Sequence, residues 1–250
     1  MSIFEYNKEE EEQKLRKAEY EAGVEMGKFF ADKGIKTAAI YGAFIPNPMH
    51  VYRTAGVLAG LGLSYGGATT EEDVVGLIFA DQGIDLSKIS GDIKIVSYLQ
   101  GYGDTTTDEI NAAIQAAPEA FISVGMATTF FTQQLNAAGI EFSDIDSFTK
   151  SNGEAITNGK LVYLAGKYSS SVGPAFALVM NAINGNVIRD AQGNAVSLSQ
   201  NYQVATDSET FDKFYKNDNG DNPIYSRDTL DQIIGDTVTF DTINEVVASN

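Results

Sequence analysis

From residue 36 to residue 148 the chain repeats one pattern: a short apolar run, a polar loop, then a stretch of helical periodicity. The runs at 37–41, 93–99 and 120–124, and a weaker one at 140–148, are rich in β-branched or aromatic residues. Each is too short for a helix, so the pattern predicts strands. Strands alternating with helices imply parallel pairing through right-handed crossovers. The expected architecture is therefore α/β, a doubly wound, mostly parallel sheet in three layers. Ligands of such sheets sit outside the carboxyl ends of the strands, which directs attention to the loops starting near Gly42, Gln100, Gly125 and Thr149.

The intervening pattern predicts a long first helix over 9–33. Leu15, Ala18, Ala22, Met26 and Phe29/Phe30 mark its buried stripe, and Gly34 ends it. Further helices are expected at about 51–61, with Arg53 in its first turn, at 108–116, after Phe131 and at 172–183. Residues 63–92 read as an insertion whose helix at 74–79 is capped by Thr70 and Asp73. A turn is expected at 156–160 and an apolar segment at 161–165. Beyond Gly185 the character changes. A hairpin is predicted at 187–198 around Gln192-Gly193-Asn194, a turn-rich loop at 217–223, and short helices near 229–234 and 242–247.

Composition narrows the functional classes. At 250 residues the chain can bury a sizeable core. A formal net charge of −17 disfavours nucleic acid as a partner and otherwise serves solubility. No apolar stretch approaches the roughly 18 residues of a membrane-spanning helix. The absence of cysteine removes disulfides, thiolate metal sites and cysteine nucleophiles. The amino terminus lacks the basic start and apolar run of a signal peptide.

Familiar catalytic patterns fail. With a single histidine, His50, and no Gly-x-Ser-x-Gly elbow, a hydrolase triad has little support. Gly23-Val-Glu-Met-Gly27-Lys28 lies inside a helix and is one residue short of a phosphate loop. Gly60-Leu-Gly62 follows a helix rather than a strand, and Asp218-Asn-Gly-Asp-Asn222 lacks the spacing of a calcium loop. No catalytic metal site or cofactor is expected. The strand-end loops remain, with Phe44, Asn47, His50 and Arg53 after the first strand and Gln100, Tyr102 and Asp104 after the second. Aromatic rings beside planar polar groups suit a small polyhydroxy ligand. The same residues could equally serve structure, with Phe44 and Tyr102 packing and Arg53 capping a surface helix.

Several segments follow one another in a telling order. They are Ala22-Gly-Val-Glu-Met-Gly-Lys-Phe-Phe-Ala-Asp-Lys-Gly34, the strand at 37–41 with its loop, and Arg53-Thr-Ala-Gly-Val57. Ala116-Ala-Pro-Glu-Ala-Phe-Ile-Ser-Val124, Asn158-Gly-Lys-Leu-Val-Tyr-Leu-Ala165 and residues 175–185 complete the set. Over about 12–185 this order and spacing resembles a type I periplasmic (solute-binding) protein of the ribose/galactose-binding class. Val204-Ala-Thr206 and Tyr225-Ser-Arg-Asp-Thr-Leu230 resemble the longer carboxy-terminal ends of such lipoproteins in Gram-positive bacteria.

The resemblance implies an extracytoplasmic sugar-binding protein that serves the permease of an ABC importer and is not an enzyme. Under it, residues 1–160 are the carboxy-terminal ligand lobe, 161–185 is a return segment belonging to an absent amino-terminal lobe, and 186–250 is a hairpin and helical tail. Arg53 matches the family's sugar-binding arginine, with Phe44 and Tyr102 as apolar walls and Asn47, His50, Gln100, Asp104 and Thr149 as polar contacts. The family's other polar positions fall on Gly125/Met126, near Thr149, and near Gly166/Lys167. The alternatives are the ligand-sensing domain of a regulator on the same fold, although no helix-turn-helix or basic patch is present, and an α/β enzyme.

Overall fold

The computed structural model describes residues 8–101, 105–146, 148–198, 200–221 and 223–248. In chain order the elements are α1 (Lys8–Asp32), β1 (Thr37–Tyr41), α2 (Pro48–Gly60), β2 (Ser64–Tyr65), α3 (Glu71–Asp81), β3 (Ile89–Ser90), β4 (Lys94–Leu99), α4 (Thr105–Gln115) and β5 (Ala120–Ser123). There follow α5 (Ala127–Ala138), β6 (Glu141–Asp146), α6 (Lys150–Asn158), β7 (Leu161–Gly166), α7 (Val172–Ile183), β8 (Gln203–Ala205), α8 (Ser208–Asn219), α9 (Arg227–Gln232) and α10 (Phe240–Ala248).

Six strands form one sheet in the order β4-β1-β5-β6-β7-β8. All pairings are parallel except β7 with β8. The order reverses at β1: the chain leaves it toward β4, then crosses back to β5 and continues outward. This is a doubly wound sheet with its switch point between β1 and β5, and in such sheets ligands bind at the carboxyl ends beside that point. Helices cover both faces. On one side α1, α2 and α3 pack in succession, and on the other α4, α5, α6 and α8. Strands buried on both faces read as near-continuous apolar runs, which is why β1 and β5 stand out in the sequence.

The longest helix sits over the middle of the sheet. Ser143 Oγ of β6 donates to Met26 Sδ at 3.1 Å, and the Phe29 ring lies 5.2 Å from that of Tyr163 in β7. The next helix crosses α1 at unusually short range because four glycines meet there. A Cβ on Gly23 or Gly27 would collide with the backbone of α2 at Arg53, Val57 or Gly60, and one on Gly56 or Gly60 would collide with α1. Both helices carry glycine four residues apart, so both present a flat face to the crossing. The Gly23/Gly27 spacing, read above against a phosphate loop, is a packing device.

The structure departs from the sequence reading at several elements. Residues 150–158 form α6, so the expected turn at 156–160 starts only at its end. The segment ahead of the turn-rich 217–223 loop is α8. The hairpin predicted over 187–198 reduces to an isolated bridge between Arg189 and Ala195, closed by backbone and Asp190 side-chain bonds to Asn194. The second helix begins at Pro48, three residues before the expected start, which places Arg53 in its second turn.

Residues 161–166 lie within the main sheet as β7, paired with β6 and β8. A second, smaller core joins α7 to the tail through Ala177, Ile188, Ile233 and Ile243. Buried Asn181 fastens it by donating to the Ile233 carbonyl and accepting from Gly235 N–H, both at 2.8 Å. The opposite face of α7 carries Val172, Phe176, Val179 and Ile183, each half exposed or more. No charged residue occurs between Lys167 and Arg189.

Candidate functional site

The loop that leaves β1 is fixed before it reaches α2. Gly42 N–H donates to the Leu99 carbonyl at 2.9 Å, and Tyr41 Oη donates to the Gly101 carbonyl at 3.0 Å. Ala43 has φ 54°, a left-handed conformation that costs a residue with a Cβ and that concentrates at functional sites. His50 staples the loop: its Nδ1 accepts from Phe44 N–H at 2.9 Å and lies 3.1 Å from the Phe44 carbonyl. Burial pushes the His50 pKa below its ordinary value, and the nearby Arg53 charge adds to the effect. Asn47 caps α2 by accepting from Met49 N–H at 3.0 Å.

The α1–α2 crossing builds the polar centre at the carboxyl ends of the strands. Glu19 lies one turn before Gly23 and is fully buried. The close approach brings its carboxylate to Arg53, whose Nε donates to Glu19 Oε2 at 2.6 Å. Arg53 also donates to the Val124 carbonyl at the end of β5 (3.1 Å) and to Tyr202 Oη (2.7 Å). Tyr202 Oη in turn donates to Glu19 Oε2 at 2.8 Å. A buried ion pair is favourable only when its remaining hydrogen-bonding capacity is met, and here backbone and phenol each take up part of it.

A second cation joins from the end of β7. Lys167 Nζ lies 3.7 Å from Glu19 Oε1 and 4.3 Å from the centroid of the Tyr202 ring. Burial lowers the Lys167 pKa, and the Arg53 charge also lowers it while Glu19 opposes. Burial likewise raises the Tyr202 pKa, so its hydroxyl stays protonated. Two residues upstream, both amide atoms of Gln200 are buried without a hydrogen-bond partner among the described residues. Such a group costs about 1–3 kcal/mol until water or a ligand satisfies it.

The sequence candidates fall into separate places along the same sheet edge. Phe44, 46% exposed, lines a groove of about 500 Å³ with Ile45, Pro46, Phe79, Gln82 and Gln100. The Gln100 side chain donates to the Gln82 carbonyl and accepts from Tyr98 Oη, each at 3.0 Å. Arg53, 9% exposed, lies at the carboxyl ends of the strands rather than at the cap of a surface helix. His50 and Asn47 hold the loop between these two places. Thr149 caps α6, accepting from Asn152 N–H at 3.3 Å. Tyr102 and Asp104 lie outside the described residues. Among the described residues, no group of three or more His, Cys, Asp or Glu is placed to hold a metal ion.

Sequence reasoning missed Glu19, Tyr202 and Gln200, and reached Lys167 only as a position where the resemblance puts a polar residue. The matched glycine pairs in successive helices could have pointed to Glu19, because they predict a close crossing one turn away from it. Nothing in the local sequence of 200–202 marks that segment as part of the edge.

The fold has known counterparts. No family model matches the chain, and no curated protein matches it. Among solved structures it is similar to an ABC transporter periplasmic solute-binding protein from Actinobacillus succinogenes 130z with bound D-allose. The identity is 16% and the TM-score 0.51, over 78% of this chain and 62% of that one. It is also similar to the periplasmic binding protein component of the arabinose ABC transporter from Shewanella sp. ANA-3, bound to α- and β-L-arabinofuranose. Here the identity is 17% and the TM-score 0.51, over 80% of this chain and 61% of that one. The chain thus spans less than two thirds of the length of either neighbour. These likenesses agree with the expected fold, that of a type I periplasmic-binding-protein lobe.

Proposed function

We propose that the chain is the ligand-holding lobe of an extracytoplasmic solute-binding protein that delivers a sugar-like small molecule to an ABC importer. It holds its ligand without transforming it. The observation that carries this reading is the convergence of Arg53, Lys167, Tyr202 and the unpaired Gln200 segment at the carboxyl edge of the sheet. That is where ligands of doubly wound sheets bind, and the fold is one whose solved counterparts hold allose and arabinofuranose. Planar amide and guanidinium groups beside aromatic rings suit hydroxyl-rich ligands.

In this reading Arg53 acts as the anchor that keeps Tyr202 and Glu19 in place, and Phe44 and Gln100 extend the site toward the neighbouring groove. A second lobe completes the cleft by covering the uncharged outer face of α7. Two things support that placement: contiguous exposed apolar stripes mark interaction surfaces, and both neighbours are longer than this chain. Residues 167–185 would then be the link between lobes, with β7 remaining in the ligand lobe.

A thermal-shift screen against mono- and disaccharides, nucleosides and amino acids tests the proposal, because a ligand that binds only the folded state raises Tm by mass action. The expected result is a selective rise with a sugar that diminishes in Gln200→Ala. A rise with amino acids or nucleosides and none with sugars would overturn it.

A further inference from the structure

In a chain whose balance is −17, two cations, Arg53 and Lys167, gather around the single carboxylate of Glu19, while the buried Asp144 at the neighbouring strand end is taken up by the Ala127 and Thr128 N–H groups. Glu19 faces two cations and is committed mainly to one of them: 2.6 Å separates it from Arg53 Nε and 3.7 Å from Lys167 Nζ. It also accepts from Tyr202. Among the described residues, Glu19 is the carboxylate within ion-pairing reach of Lys167. The ammonium is therefore partly withdrawn from water and incompletely neutralised, with the Tyr202 ring beneath it at 4.3 Å. Its side chain remains 31% exposed, so a ligand at the strand ends can reach it.

From this arrangement we infer that the ligand is an anionic sugar, bearing a carboxylate or a phosphate, and that Lys167 is the residue that selects it. The inference rests on the sugar-binding reading above. An anion at the strand ends supplies the charge that Glu19 cannot, and the ammonium replaces lost hydration with charge-assisted hydrogen bonds, about twice as strong as neutral ones. A neutral sugar at the same place accepts an ordinary hydrogen bond and leaves the excess charge uncompensated. Arg53 contributes less to the discrimination, because it is buried and its charge is paired with Glu19 at 2.6 Å. Lys167, at the very end of β7, is poised to discriminate.

Isothermal titration of the full chain with matched pairs reads this directly: D-galacturonate against D-galactose, D-glucuronate against D-glucose, and D-glucose 6-phosphate against D-glucose. The expected result is that the acidic member of at least one pair binds about tenfold more tightly or better. The identity of that pair separates a carboxylate ligand from a phosphate one. Lys167→Met should bring the preference close to one by weakening the acidic member far more than the neutral one, and Lys167→Arg should keep the preference, with melting curves confirming that both variants fold. Neutral sugars binding as well as their acidic counterparts, or a preference that survives Lys167→Met, overturns this inference and leaves the sugar-binding reading standing. Failure of every sugar, acidic and neutral, to bind overturns the reading and the inference with it.

Discussion

Two helices of this chain present apolar or small-residue faces outward from their own axes, and their outcomes differ. The face of α2 with Gly56 and Gly60 meets α1 at Gly23 and Gly27, so closely that a methyl group has no room. The face of α7 with Val172, Phe176, Val179 and Ile183 stands in solvent, although its other face is anchored by Asn181 and the tail. The difference teaches that an amphipathic pattern specifies burial without specifying the partner. The first face found its partner within the chain and so created a site: the crossing delivers Glu19 to Arg53. The second stays exposed among the described residues.

The comparison breaks most severely at the buried pair. Glu19→Ala leaves the Arg53 charge buried and unpaired, and it should lower unfolding free energy by about 3–5 kcal/mol in urea titration. A loss under 1 kcal/mol would mean that the crossing, rather than the pair, holds the region together. Gly56→Val tests the crossing itself. Its side chain would meet the Tyr20 carbonyl and the Val24 amide of α1, and backbone cannot yield as a rotamer can. A loss of about 3 kcal/mol is expected, at the upper end of what overpacked cores show.

The exposed helix should behave in the opposite way. Val179→Glu ought to change stability by no more than about 0.5 kcal/mol while lowering the fluorescence of a bound apolar dye. A large loss of stability would show that α7 is already covered. The smallest effect expected is at the loop staple. Because the folded His50 pKa lies below its unfolded value near 6.5, folding favours the neutral ring. The stability this provides is complete above that unfolded value and is lost as pH falls through the lower folded one. Melting temperature should therefore decline on acidification below about pH 6.5, and less steeply in His50→Gln.

Much of this architecture was legible in advance. β1 and β5 announced themselves as short apolar runs because strands buried on both faces need no polar alternation, and the edge strand β4 did so through its β-branched and aromatic residues. α2 and α7 were visible through their periodicity. α6 was missed because Lys150–Asn158 carries mostly polar residues and buries little beyond Asn152 and Ala155, although Thr149 and Asn152 mark its cap. β8, three residues long, has too few positions to show a period. The site was half legible. Arg53 and the β1 loop stood out by residue type and by their place at a strand end. Glu19, 34 residues from its partner, became part of the site only through the glycine crossing, and Lys167 and Tyr202 only through the antiparallel pairing of β8 with β7.

If ligand binds at the carboxyl edge of the sheet, hydrogen–deuterium exchange with and without the best-shifting sugar will locate it there. Protection should concentrate in the loop from Gly42 to Met49, around Val124 to Ala127, and in the segments near Lys167 and Tyr202. Protection confined instead to the groove at the opposite end of β4, lined by Leu86, Ser90, Lys94 and Ala116, would contradict it.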